Sequence, residues 1–242
     1  MKDLKRLKEH YEVQGRESSF DVYLGPWGLK SALFKRRREV IKDVLPKKPG
    51  IALDVGCGLG VYSLDLCLFG YEVLAIDISK SYLEKCKILK SRVGKEWHLI
   101  LADAQNLPLR KGCLDLLLCS EVLEHVPDML KALVEMIKLL KRGGILVLSI
   151  PSRFSFTEAL GVVREHLHKV NPIWLRNTLC KSGFLCVEER FCNFAIYPIM
   201  ILLSLKRPSL ESFVIVFWLG LDKLIGMIPF VKLICWCYVA KL

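Results

Sequence analysis

The 242-residue chain lacks any Cys-x-x-Cys pair, any uninterrupted apolar run long enough to span a bilayer, and any apolar stretch within its charged opening, MKDLKRLKEH. Each absence excludes something. Ten cysteines are scattered over the chain, several of them inside apolar runs (Cys119, Cys186, Cys235). This is not the spacing of a disulfide framework, and Cys235-x-Cys237 without a nearby histidine is a poor zinc site. The longest apolar stretches, at 194–205, 213–221 and 233–240, fall short of the roughly 18–20 residues of a spanning helix. The opening has no h-region of a secretory leader. Together these predict reduced thiols in a cytoplasmic protein. Negative charge is also scarce, with 25 Asp+Glu against 36 Lys+Arg and a net charge of +11.

That imbalance is uneven and suggests three regions. Residues 1–49 hold 13 Lys/Arg against 7 Asp/Glu and read as a basic helical arm. Within it, FKRRREVIKDVLPKK (34–48) invites contact with phosphates. It also fits the solvated face of an amphipathic helix that buries Leu33, Phe34, Val40, Ile41 and Val44, the reading preferred here. Residues 50–190 are nearly charge-balanced and alternate between strand and helix patterns. Residues 191–242 are dominated by apolar residues, broken by Pro198, Pro208 and Pro229. They read as apolar helices ending in a last strand (236–242), with 191–232 a candidate contact for a membrane surface or an apolar substrate.

In the central region, strands are predicted at 51–55, 71–77, 97–103, 114–120, 145–151 and 184–190. Helices fall at 61–70, at 79–91 with Ser81 and Glu84 spaced as a capping box, from Asp128 to Leu140, and at 171–184. The last has Asn171 as N-cap and Pro172 in its first turn. Strands alternating with helices predict an α/β fold with a parallel sheet covered on both faces.

The segment IALDVGCGLG (51–60) then acquires a meaning. A buried strand with a single acid, Asp54, runs into glycines at 56, 58 and 60, a loop that lets a ligand approach the backbone. In such sheets ligands bind beyond the carboxyl ends of the strands. The dinucleotide fingerprint needs Gly or Ala at 61, where Val stands, so it fails at its last position. Asp77 ends the second strand, where a carboxylate can accept from a ribose diol. Asp103 and Ala104 end the third, where a carboxylate and a backbone N–H can read an adenine edge. Ser120, Glu121 and His125 follow the fourth.

The pieces ALDVGCGLG, AIDIS, LADAQNLPL, LDLLLCSEVLEHVPD, LKRGGILVLSIP and KSGFLCVEE, in this order over roughly 50–190, resemble the class I S-adenosylmethionine-dependent methyltransferases. The similarity is to the subgroup acting on quinones, lipids and other small molecules. The resemblance implies a three-layer Rossmann-like fold whose seven-stranded, mostly parallel sheet has its last strand antiparallel, and S-adenosylmethionine as cofactor. It implies that Asp54, Gly56, Cys57, Gly58 and Gly60 border the methionine part, that Asp77 binds the ribose with Ile78 packing on adenine, that Asp103 and Ala104 read the adenine edge, and that Glu121 lies near the methionine portion. Arg142, where the family often has Pro, and Leu114, where it often has an aromatic residue, depart from the pattern away from these positions.

Methyl transfer needs alignment, exclusion of water and, for a hydroxyl or thiol acceptor, a base. His166 in REHLHKVNP is the first candidate base and His125 the second. No metal is expected, since Glu165, His166 and His168 offer too few ligands from one loop. The expected acceptor is a small, apolar molecule of lipid, isoprenoid or quinone type. An RNA methyltransferase using the basic arm and a non-catalytic membrane-associated protein of the same fold are the alternatives. SEVLEH, where base methylases carry an Asn-Pro-Pro-Tyr-like motif, disfavours nucleic acid. The oligomeric state is left open.

Overall fold

A computed structural model describes residues 2–21, 29–46, 50–151, 167–168, 170–192 and 235–242. Among the described residues the first elements are the helices α1 (Lys2–Glu17) and α2 (Leu29–Val44). Then follow β1 (Ile51–Val55), α3 (Val61–Leu68), β2 (Glu72–Asp77), α4 (Lys80–Val93), β3 (His98–Leu101), β4 (Leu114–Ser120), a 3-10 turn (Leu123–His125), α5 (Met129–Leu139), β5 (Leu140–Pro151), α6 (Pro172–Lys181), β6 (Cys186–Cys192) and β7 (Cys235–Lys241). The strands lie in the order β3-β2-β1-β4-β5-β7-β6. The first five pair in parallel, while β7 runs antiparallel between β5 and β6.

The side-chain period of two divides the central strands between two cores. Ala52, Val73, Ala75, Leu116, Leu118 and Val147 face one layer, built from α2, α3 and α4. Leu53, Val55, Ile76, Leu117, Cys119, Leu146 and Leu148 face the other, built from α5 and α6. Burial on both faces explains why β1 and β4 read as nearly continuous apolar runs.

Several local readings hold. Asp128 caps α5 by accepting from Lys131 N (2.9 Å). Asn171 caps α6 by accepting from Ile173 N (2.9 Å), with Pro172 in the first turn. Others shift. The cap of α4 is Ser79, whose hydroxyl accepts from Tyr82 N (3.2 Å), and Ser81 is not a capping-box residue because its hydroxyl donates to Glu12 of α1 (2.6 Å). The basic run lies on a helix that buries Phe34, Val40 and Ile41 in the first core, with Leu45 buried just past its end. The arm is thus packed onto the sheet layer. The side chain of Leu33 and the whole of residues 193–234 lie outside the described residues, and with them nearly all of the expected helices of 191–232; the first two residues of that range, Phe191 and Cys192, instead end β6. Among the described residues no helix is long and apolar enough to cross a membrane.

Candidate active site

The parallel order leaves the carboxyl ends of β1, β2, β3 and β4 along one rim. A cavity of about 300 Å³ opens there, at the small end of the range for ligand pockets. Its floor is the glycine loop. Gly56 N and Cys57 N both donate to Ile76 O (2.8 and 2.9 Å), bending the chain over the end of β2. Gly58 N donates to Asp77 Oδ2 (2.9 Å), and Ser79 N to Asp77 Oδ1 (2.9 Å). One carboxylate therefore ties the β1–α3 loop to the start of α4. Gly56, Gly58 and Gly60 all have positive φ, at 69°, 52° and 82°, which side-chain-bearing residues adopt only with strain.

The residues marked out by the sequence divide clearly. Gly56, Cys57, Gly58, Asp77, Ile78, Asp103, Ala104, Glu121 and His125 line the cavity. Asp54 is behind the wall. It is fully buried, and Ser63 Oγ donates to its Oδ2 (2.6 Å), joining β1 to α3. Gly60 starts α3 and faces Cys86. Asp103 accepts from Gln105 N (2.9 Å) and from the Gln105 amide. His166 lies outside the described residues. His168 is engaged elsewhere, its Nε2 being 3.0 Å from Val126 O and 3.2 Å from Pro127 O. His125 closes the 3-10 turn, with Nε2 3.7 Å from the buried Glu124 carboxylate.

Sequence reasoning missed the contribution of the arm. Leu7, Tyr11 and Gln14 of α1 and Phe34 and Arg37 of α2 line the cavity. Arg37 pairs with Glu121 (2.7 Å), whose other oxygen accepts from Ser149 Oγ (2.7 Å). Glu121 has φ 56°, the one positive φ at a non-glycine among the described residues, a geometry costing about 1–2 kcal/mol. The backbone bond from Glu121 N to Ser149 O (2.9 Å) and the pair with Arg37 hold it there.

Burial sets the charge of the acids. It pushes the Asp77 carboxyl up to about 6, against the lowering effect of the Ser79 and Gly58 N–H groups. It pushes Asp54 up to about 7, despite the Ser63 hydroxyl. The sign for stability follows. An unfolded Asp titrates near 3.8, so between that value and these raised ones the folded chain holds protons that the unfolded chain has lost. The stabilising contribution of both groups is full below the unfolded value and is lost as pH rises through about 6 for Asp77 and about 7 for Asp54. The melting temperature should fall between about pH 4 and pH 7 on this account. Asp54→Asn keeps an acceptor for Ser63 and should flatten the fall by up to one proton, about 1.4 kcal/mol per pH unit. A variant with an unchanged slope, measured by calorimetric melting, would refute the assignment.

Tyr62 Oη and Ser120 Oγ are buried and make no hydrogen bond within the described protein, although Arg37 and Ser120 are near the phenol. Both residues line the cavity. A Cβ built on Gly58 would meet only Tyr82 Cδ1, at 3.9 Å. Unsatisfied hydroxyls, an open glycine cradle and acids at the ends of β2 and β3 fit a polar, adenosine-bearing ligand.

Comparison with known proteins agrees. Residues 53–148 match the methyltransferase domain family. The ubiquinone biosynthesis O-methyltransferase of Xanthomonas euvesicatoria is 31% identical over 150 residues, covering 61% of this chain and 63% of that protein. The chain thus spans somewhat under two thirds of the relative it matches. A SAM-dependent methyltransferase from Archaeoglobus fulgidus superposes with a TM-score of 0.64 at 19% identity, covering 92% of this chain and 97% of that one. Phosphoethanolamine N-methyltransferase 2 of Haemonchus contortus, solved with S-adenosylhomocysteine, gives 0.63 at 17% identity, covering 86% and 52%. The fold is that of the class I S-adenosylmethionine-dependent methyltransferases, and the stretch that matches the methyltransferase domain lies between the N-terminal helices and the apolar C-terminal region.

Proposed function

We propose that the protein transfers a methyl group from S-adenosylmethionine to a hydroxyl of a small apolar acceptor of quinone-precursor type. The observation that carries this reading is the single cavity wall along which the ends of β1 to β4 present Gly58, Asp77, Asp103–Ala104 and Glu121. The acceptor class is supported by the ubiquinone O-methyltransferase relatives and by the apolar side chains of Leu7, Phe34, Val122 and Val126 in the lining. The apolar composition of 191–232 supports contact of that region with the acceptor or with a membrane surface.

When bound, the cofactor supplies an electrophilic methyl group on a sulfonium, with a neutral thioether as leaving group. The protein's own part is binding, alignment and proton removal. Asp77 would take the ribose diol, and Ile78, Asp103 and Ala104 the adenine. The glycine loop with Cys57, and Arg37 with Glu121, would take the zwitterionic methionine end. Tyr11 and Phe34 keep water out of one side of the cavity. His125, the described histidine on the cavity rim, would take the acceptor's proton, with His166 the other candidate.

Calorimetric titration with S-adenosylmethionine, S-adenosylhomocysteine and NAD tests the cofactor. Binding of both sulfur ligands but not NAD is expected, and binding of neither overturns the reading. Assayed with an isoprenoid-substituted catechol, His125→Asn should lower kcat about 100-fold while leaving cofactor affinity within about twofold. An unchanged kcat would remove His125 as the base.

A further inference from the structure

We infer that Glu12 of α1 is a positioning residue that holds this helix over the cofactor cavity and so sets both the cofactor's residence time and the orientation of His125. The inference rests on the methyltransferase reading above. Leu7, Tyr11 and Gln14, spaced as one helical stripe, form the cavity-facing side of α1. Tyr11 packs against the first core, and the fastening of the helix to α4 is polar. The Glu12 carboxylate accepts from Lys80 N (2.6 Å), Ser81 N (3.2 Å) and Ser81 Oγ (2.6 Å), at the first turn of α4. A carboxylate there also meets the positive end of the helix dipole. The Ser81 hydroxyl and these N–H donors hold its carboxyl below the usual range, so it is charged at neutral pH.

The last turn of α1 and the residue just past its end continue the seam. Tyr82 Oη donates to Gln14 Oε1 (3.1 Å) and lies 3.0 Å from Ser18 Oγ. Gly15 lets the helices approach, since a Cβ there would fall 2.9 Å from Tyr82 N. The turn that receives Glu12 is the one that carries Asp77, because Ser79 N donates to Asp77 Oδ1 immediately before Lys80. One residue from Glu12, the Tyr11 ring meets the His125 ring edge-on, with centroids 5.7 Å apart and planes at 85°. Seating α1 on the ribose-side turn therefore also packs Tyr11 against the candidate base. Capture of the cofactor and alignment of His125 are one event.

The test uses the full chain and S-adenosylhomocysteine as probe. Stopped-flow dissociation should be about fivefold faster in Glu12→Ala, about twofold faster in Ser81→Ala, and intermediate in Glu12→Gln, which keeps one acceptor oxygen. The double variant should be no worse than Glu12→Ala alone, because both remove the same contact. In Glu12→Ala the His125 ring-proton resonances should move towards those of Tyr11→Ala, a change that loss of overall stability would not produce. Wild-type dissociation rates and unmoved His125 resonances in Glu12→Ala would overturn the inference, as would additive effects in the double variant. Failure of the wild-type protein to bind the probe at all would instead overturn the methyltransferase reading.

Discussion

Asp77→Ala is expected to weaken S-adenosylmethionine binding by about 100-fold or more. Two charge-assisted hydrogen bonds to a ribose diol are each worth about 1.5–3 kcal/mol, and their loss alone reaches that magnitude. The same carboxylate also accepts from Gly58 N and Ser79 N, so its removal leaves two loop donors without partners. Stability should fall too, by about 2 kcal/mol. The two effects are separable. If Asp77 holds the ribose, a cofactor analogue lacking the 2′-hydroxyl should lose about tenfold in affinity for the wild-type protein and nothing further for Asp77→Ala. Equal losses in both proteins, measured calorimetrically, would mean that Asp77 only builds the loop. Because burial raises this carboxyl to about 6, affinity should also rise with pH through that region, since the charged form is the better acceptor.

The rim residues were legible in the sequence because their signals are local. A buried strand followed by alternating glycines announces a ligand loop, and an acid at the end of the next strand faces the same rim by the rule for parallel sheets. The arm was harder because composition hid its geometry. Lys35-Arg36-Arg37-Arg38 reads as one charge run, yet successive helical residues point about 100° apart. Arg36 pairs with Glu39 on its own helix, Arg37 reaches Glu121 in the cavity, and Arg38 grips the buried Asp65 of α3 in a bidentate pair. The helical period through Phe34, Arg37 and Ile41 was the available signal, since it sets Arg37 on the buried stripe. Ser81 misled for a related reason. Its spacing from Glu84 satisfies a capping box, but Glu12, 69 residues away in sequence, takes its hydroxyl, and no local rule contains that partner.

The glycines of the loop do different work, and substitution should show it. At Gly60 a Cβ would lie 2.3 Å from Cys86 Sγ and 3.5 Å from Trp97 Cζ2, with φ at 82°. Cys86 cannot easily yield, being fully buried and accepting from Trp97 Nε1 (3.3 Å). Left-handed strain and overpacking together should cost Gly60→Ala about 3 kcal/mol, or about 10 °C in melting temperature. Adding Cys86→Ala should restore only part, because it relieves the contact but leaves the φ and removes the indole's acceptor. Gly58→Ala meets no atom closer than 3.9 Å and should cost only the backbone strain, about 1–2 kcal/mol. Its methyl nevertheless lies on the cavity floor beside Asp77, so cofactor binding should be lost in a protein that still melts cooperatively. If Gly60→Ala proved as stable as Gly58→Ala, the packing of α3 against α4 at Cys86 would be wrong. If Gly58→Ala bound S-adenosylmethionine normally, the cofactor would not approach this loop, because a floor open to the ligand is what requires glycine at 58.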